Sequence, residues 1–224
     1  MATATELEIK QDGVVSFDLI PGTLELLQQS MAECHVLIKC FQGSVTLVSP
    51  GETHDSVSRR VLLFIVAISE VLKVKAYPLG STYHGLPGDT GYEPDESFYV
   101  QSEGAAMSGK VPDLAIEIVV TSSPRKALAA GEALGIPEMW VWNISRRELV
   151  FHGLKKGKDG KTAYRPIVKS LAFPLLTPKD VLSRVNEPID DAGAFAAKNR
   201  AWARRVLVPR TRKRKGKAGN GDDK

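Results

Sequence analysis

Two carboxylates stand out as residues that could do chemistry. Asp95 follows Pro94, whose ring restricts its own φ and biases its neighbour toward extended backbone, so the acid heads an extended segment with a set direction. Glu117 lies inside Leu114-Ala115-Ile116-Glu117-Ile118-Val119-Val120, a β-branched apolar run of the kind that forms a central strand covered on both faces. An unpaired carboxylate buried there would cost several kcal/mol, so Glu117 must be protonated, paired or bound to a cation. If Asp95 starts a neighbouring strand, the two acids can converge on one hard divalent cation. Phosphodiester hydrolysis uses that arrangement: the cation neutralises phosphate charge, acidifies a bound water and aligns the attacking and leaving oxygens. A nearby ammonium would add transition-state stabilisation, and Lys126, at the start of the next helix, is the candidate from spacing. Each residue also has an ordinary reading: Pro-Asp pairs make turns, and helical lysines are commonly solvated.

The positioning elements follow from periodicity. Leu19, Ile20, Leu24, Leu26 and Leu27 predict a short helix with Pro21 in its first turn, and Val45, Leu47 and Val48 predict a hairpin strand after Gly43. From His54-Asp55, apolar residues at Val57, Val61, Leu62, Ile65, Ile68, Val71 and Leu72 recur every three or four positions and predict a long helix buried on one side. The Gly80 to Gly91 stretch is loop or irregular hairpin, leading to a strand over Ser97 to Val100. Thr121, Ser122 and Ser123 offer N-cap hydroxyls, Pro124 suits a first turn, and Gly135 is a C-cap for a helix over Lys126 to Leu134. Met139 to Trp142 is a further strand, parallel to the Glu117 strand if both share a sheet. A hairpin turning over Lys155 to Lys161, a helix opened by Thr177-Pro178, and a last helix from Asp190 to Leu207 complete the chain.

At 224 residues and 43% apolar composition, the chain suits one compact domain over residues 1–208 followed by a basic tail, 209–224, expected to be disordered. The net charge of +4 comes largely from Arg204, Arg205, Arg210, Arg212, Lys213, Arg214, Lys215 and Lys217. Arg210, Arg212, Lys213, Arg214 and Lys215 are therefore candidate nucleic-acid contacts, with a solubilising end as the plain alternative. Cys34 and Cys40 form neither a metal-ligand pattern nor a disulfide framework. The longest apolar run, Val61 to Ile68, is about half the length of a membrane span. With no signal-peptide pattern at the start, the reading is a soluble, cytoplasmic protein with no membrane partner.

Three blocks in order carry a family resemblance: Gly91-Tyr92-Glu93-Pro94-Asp95-Glu96-Ser97-Phe98-Tyr99-Val100, Pro112-Asp113-Leu114-Ala115-Ile116-Glu117-Ile118-Val119-Val120-Thr121-Ser122-Ser123, and Leu134-Gly135-Ile136-Pro137-Glu138-Met139-Trp140-Val141-Trp142. They resemble the Uma-type family of bacterial restriction-endonuclease-like proteins, a branch of the PD-(D/E)XK nuclease superfamily, over roughly residues 20–207. The resemblance implies an α/β fold with a restriction-endonuclease-like core, a central mixed β-sheet flanked by helices. It implies a DNA endonuclease with Mg²⁺ or Mn²⁺ held by Asp95 and Glu117, and a homodimer would suit double-strand cutting. It places the catalytic lysine on the helix after the Glu117 strand, where Ala127 stands and Lys126 is one position early, and puts Gly131 where a tyrosine is usual. His54 matches a histidine common at the start of the long helix. The alternative to an active nuclease is a weakened or inactive relative that binds nucleic acid. Asp113 reads as a turn or cap residue, and Trp140 and Trp142 as core.

Overall fold

The computed structural model describes residues 13–31, 34, 36–86, 90–101, 110–120, 123–158, 160–188 and 191–218. In chain order the elements are β1 (Val14–Asp18), α1 (Leu24–Met31), β2 (Leu37–Phe41), β3 (Ser44–Val48), α2 (Glu52–Leu72), β4 (Ala76–Pro78), β5 (His84–Leu86) and β6 (Thr90–Tyr92). They continue with β7 (Glu96–Val100), β8 (Leu114–Val119), α3 (Arg125–Leu134), β9 (Glu138–Asn143), β10 (Glu148–Lys156), β11 (Thr162–Ile167), α4 (Pro178–Val185) and α5 (Ala192–Ala218). The fold is mixed α/β, as expected, but its strands form two sheets. A six-stranded mixed sheet has the order β11-β10-β9-β8-β7-β4, and a five-stranded sheet has the order β1-β3-β2-β6-β5. Only the β8–β9 pair is parallel among the described strands, with α3 as its crossover.

Alternation along β8 assigns its two faces. Leu114, Ile116 and Ile118 join Trp140, Trp142, Phe151 and the apolar stripe of α2 (Val61, Phe64, Ile65, Ile68), with Val181 of α4 and Leu207 of α5, in the main core. Ala115, on the opposite face, packs with Tyr92, Ala127, Ala130, Leu134, Met139 and Tyr164 beneath α3. Glu117 shares that face by the same period of two. The five-stranded sheet keeps its own small core of Leu24, Ile38, Cys40, Val45 and Leu47. Its β2–β3 hairpin turns through Gln42 and Gly43 at φ 49° and 79°, the pair of positive values that a tight type I′ connection requires.

Several local expectations shift. Helix α1 starts at Leu24, because Pro21 and Gly22, the latter at φ 80°, form a turn ahead of it rather than its first turn. No side chain caps α3: Pro124 occupies the N-cap, Ser123 Oγ accepts only from Arg125 N at 3.4 Å, and Thr121 and Ser122 lie outside the described residues. Gly135 is the left-handed C-cap that was expected, and Thr177 with Asp180 forms a full capping box on α4. The boundary expected at 208 falls inside a helix, since α5 continues through Pro209 to Ala218. Arg210, assigned by sequence to the tail, instead pairs with Asp180 at 2.7 Å and donates to Leu175 O at 3.0 Å, which fastens that helix to α4. The side chains of Arg212, Lys213, Arg214 and Lys215, and residues 219–224, lie outside the described part. Among the described residues no helix is long and apolar enough to cross a membrane.

Gly131 proves to be a packing requirement. A Cβ there would lie 2.5 Å from Met139 Sδ and 2.9 Å from Tyr164 Oη, because the Tyr164 ring reaches across from β11 and its hydroxyl donates to Ile136 O at 2.8 Å. A tyrosine at 131 has no room. Alanine should favour the helix by about 1 kcal/mol over glycine, while overpacking costs about 1–3 kcal/mol. Gly131→Ala is therefore expected to lower the thermal midpoint, measured by calorimetry. A midpoint that rises in this variant would contradict this packing account.

Candidate active site

The segment from Tyr92 to Asp95 joins the two sheets and builds the site. Glu93 grips Ile38 at both polar groups, its N–H donating to Ile38 O at 3.0 Å and its Oε2 accepting from Ile38 N at 2.7 Å. That pins β2 beside β6, where Lys39 pairs with Tyr92. After Pro94 the chain changes sheets. Asp95 N donates to Ile116 O at 3.1 Å, and Asp95 Oδ2 accepts a short hydrogen bond from Ile118 N, so Asp95 holds the backbone on both sides of Glu117. The two carboxylates predicted from sequence are thus brought together by direct backbone contacts.

Between them sits Lys39. Its ammonium donates to Glu117 Oε1 in a short contact and lies 3.5 Å from Asp95 Oδ1. Each carboxylate has its other oxygen held by a protein donor, Asp95 by Ile118 N and Glu117 by the Tyr92 hydroxyl at 2.9 Å. Asp95 Oδ1 and Glu117 Oε1 therefore face the same cation. The side chains of Lys39, Asp95 and Glu117 are 5%, 0% and 3% exposed, enclosed by the six-stranded sheet, β2, β6 and α3. His54, in the first turn of α2, brings Nε2 to 3.2 Å from Asp95 Oδ2 without hydrogen-bond alignment, while its Nδ1 lies 3.2 Å from Asp55 Oδ1.

Lys126 does not join this cluster. Its ammonium donates to Val45 O at 2.9 Å, tying the start of α3 to β3, and no ion pair links it to either acid. The next position, Ala127, points into the apolar contacts under α3 and is 1% exposed. The single-residue displacement places the ammonium on a different face of the helix, at about 100° per residue. Lys39 is the residue that sequence reasoning missed. A signal for it existed: Val36-Leu37-Ile38-Lys39-Cys40-Phe41 is an apolar strand with one charged residue, the same anomaly that marks Glu117. Asp113 accepts from Val100 N at 2.8 Å as a turn residue, and Trp140 and Trp142 are core.

One ammonium facing two buried acids sets the electrostatics. Burial alone would lower the Lys39 pKa, but Asp95 and Glu117 hold it above its ordinary value, so it stays charged. Burial pushes Asp95 up, yet Lys39 and His54 outweigh this and keep it below the usual carboxylate range. Burial dominates at Glu117, Lys39 opposes it and Asp95 adds to the rise, leaving the carboxyl pushed up to about 7. Burial also lowers His54, but contact with Asp95 reverses the shift and raises it. The Tyr92 hydroxyl is pushed well above its ordinary value by burial and then by both acids, so it remains a donor. As in other close acid pairs, one carboxyl moves down and the other up.

Among the described residues no group of three or more His, Cys, Asp or Glu side chains is arranged to hold a metal ion. A hard cation such as Mg²⁺ needs no such cage, since one or two carboxylates with water and substrate oxygens suffice. The donor set fits it. Asp95 Oδ1 is buried with no hydrogen bond, and the Glu117 oxygen beside it is held only by Lys39.

Among the described residues, a mixed α/β fold of two sheets flanked by five helices, with two carboxylates converging at adjacent strands β7 and β8, is the class of protein that the geometry defines. Residues 25–184 match the Uma2 family, described as "Putative restriction endonuclease", and the chain belongs to that family. Among solved structures, a putative nuclease belonging to DUF820 from Anabaena variabilis ATCC 29413 is similar at 14% identity and a TM-score of 0.39, covering 71% of this chain and 90% of that one. No curated protein matches.

The Glu117 shift has a measurable consequence. Its carboxyl titrates at about 7 in the folded chain against an ordinary 4.5, so between these values the folded state binds more protons than the unfolded state. The stabilising contribution is full below about pH 4.5 and is lost as pH rises toward 7. Urea denaturation in EDTA at about pH 5 and about pH 7 should show this fall in the wild type and a smaller fall in Glu117→Gln. Identical falls in both proteins would overturn the assignment of this proton to Glu117.

Proposed function

We propose that this protein is a divalent-metal-dependent DNA endonuclease in which Asp95 and Glu117 hold Mg²⁺ or Mn²⁺ and Lys39, in place of Lys126, supplies the ammonium. The observation that carries the reading is the convergence of Asp95 Oδ1 and Glu117 Oε1 on one centre of positive charge between two sheets. Family membership supports DNA as the substrate class. The bound cation would supply charge neutralisation at the phosphate and an acidified water.

The chain's own groups do the positioning. Ile118 N and the Tyr92 hydroxyl fix the outer oxygens of the two acids, so neither carboxylate has to be ordered when substrate arrives. Lys39, held charged beside Glu117, stabilises negative charge that builds on the phosphate oxygens in the transition state. His54 steadies Asp95 from the α2 side, and Lys126 acts structurally by fastening α3 over the site. In the same reading Arg212, Lys213, Arg214 and Lys215 add phosphate contacts, while Arg210 is committed to Asp180.

One observation favours a second reading. Lys39 already neutralises one of the two acids, and the three side chains are at most 5% exposed, which suits an inactive family member that retains the fold and binds nucleic acid.

Incubating the purified chain with plasmid and linear DNA in Mg²⁺ or Mn²⁺ separates the two. The nuclease reading expects cleavage that is abolished in Asp95→Ala and Glu117→Ala, slowed about 10²–10³-fold in Lys39→Ala, and close to wild type in Lys126→Ala. Cleavage surviving both carboxylate substitutions would refute the site. Duplex binding without cleavage at any metal concentration would establish the second reading.

A further inference from the structure

Away from the carboxylates, the cations of the fold are distributed unevenly. Arg59, Lys110, Arg184, Arg200 and Arg210 each pair with a carboxylate. Others, such as Arg125, Arg146 and Arg205, are exposed without an ion pair among the described residues but stand singly or in twos, whereas the β10–β11 ribbon gathers six. From Glu148 to Lys169 the ribbon contains Lys155, Lys156, Lys158, Lys161, Arg165 and Lys169 against two acids, Glu148 and Asp159, and all six cations are exposed. Among the described residues Lys155, Lys156, Lys158, Arg165 and Lys169 form no ion pair. The partners across the ribbon do not compensate, since Lys155 lies opposite Ala163 and Lys156 opposite Thr162. Crowding like charges on a narrow ribbon without cross-strand acids is unfavourable for folding, so the fold itself supplies no reason for them.

The ribbon is also an arm. The β9–β10 ladder ends at Gly153 opposite Glu138, with one more contact from Leu154 N to Pro137 O at 2.9 Å. Lys155 and Lys156 pair only with β11, so the two strands and their turn extend past the edge of the sheet. Its distance from the site follows from register: Glu117 lies beside Val141, and Val141 beside Val150. From Val150 to Lys156 is six residues along β10, about 20 Å at about 3.3 Å per residue, and two strand spacings of about 4.8 Å bring the separation from Glu117 to about 22 Å. A duplex rises about 3.4 Å per base pair, so that span corresponds to about 6 base pairs. Lysines on flexible stems act as point charges suited to phosphate oxygens and carry little sequence information.

We infer that the β10–β11 arm grips the backbone of duplex DNA, with Lys155, Lys156 and Lys158 neutralising phosphates about 6 base pairs from the scissile position at Asp95 and Glu117. The location of the scissile position rests on the proposed function; the binding role of the arm does not require cleavage. Fluorescence anisotropy of the full chain with a labelled duplex of about 20 base pairs, in EDTA and across a salt series, tests it. The variant is the triple Lys155→Gln/Lys156→Gln/Lys158→Gln.

For the arm variant the expected result is an unchanged thermal midpoint, at least about tenfold weaker binding, and a slope of log K against log salt shallower by about 0.9 for each phosphate no longer neutralised. Wild-type affinity and slope in the arm variant would overturn the inference, as would a wild-type chain that fails to bind duplex. Loss of binding to phosphatidylserine vesicles with duplex binding intact would overturn it in favour of a membrane surface. Cleavage in Mn²⁺, measured in parallel at low salt, reports on the carboxylate site alone. A chain that binds through the arm but never cuts therefore loses the nuclease reading and keeps this one.

Discussion

Where its two sheets meet, this protein has to accommodate two carboxylates, and one ammonium is what allows it. Leaving either acid buried and unpaired would cost several kcal/mol, a large share of the stability of a domain this size. Lys39 meets that cost by facing both acids at once, yet a single positive charge cannot neutralise two negative ones. The residual charge appears as the split between Asp95, held low, and Glu117, pushed up to about 7. A site balanced in this way holds Lys39 charged and pushes Glu117 toward its neutral form. The proposed metal site would draw on the same balance that folding requires.

The architecture is arranged around that contact. Lys39 belongs to the five-stranded sheet and Glu117 to the six-stranded one, so the ion pair also joins the sheets. Glu93 and Asp95 flank Pro94 and clamp opposite partners, Ile38 on one side and the Glu117 strand on the other. Helix α3 closes the arrangement, tied to β3 by Lys126 and seated against Met139 and Tyr164 through the bare backbone of Gly131. Residues that look like losses by comparison with the family pattern are thus parts of a consistent local packing. Tyr164 supplies from β11 an aromatic ring where α3 has none, and Lys39 of β2, not a residue of α3, is the ammonium beside the two acids.

Family membership suggests nucleic acid as the substrate, and the carboxylate pair and the basic arm are consistent with the proposed cleavage and duplex grip. Surface charge is the part least tied to folding. The other described ion pairs tie elements together, as Arg210 does for α5 and α4, whereas Lys155, Lys156 and Lys158 face solvent with no acidic partner among the described residues.

Much of this was legible in the chain. The periodicity of α2, the apolar run of β8, the β8–α3–β9 parallel unit, the Thr177 cap and the Gly135 stop are local patterns, and local patterns survive folding because they reflect backbone and burial preferences of neighbouring residues. Glu117 was conspicuous for the same reason: a charge in an apolar strand needs an explanation wherever the strand goes. The tertiary structure alone decided which group answers it. Lys39 is 78 residues away and on another sheet, and no spacing rule connects the two. It also decided that Lys126 turns to Val45, that Gly131 makes room for Tyr164, and that Arg210 belongs to the fold, because each depends on what a distant strand or helix places opposite. Sequence determined that this chain must bury acidic groups between strands; only packing determined which cation accompanies them.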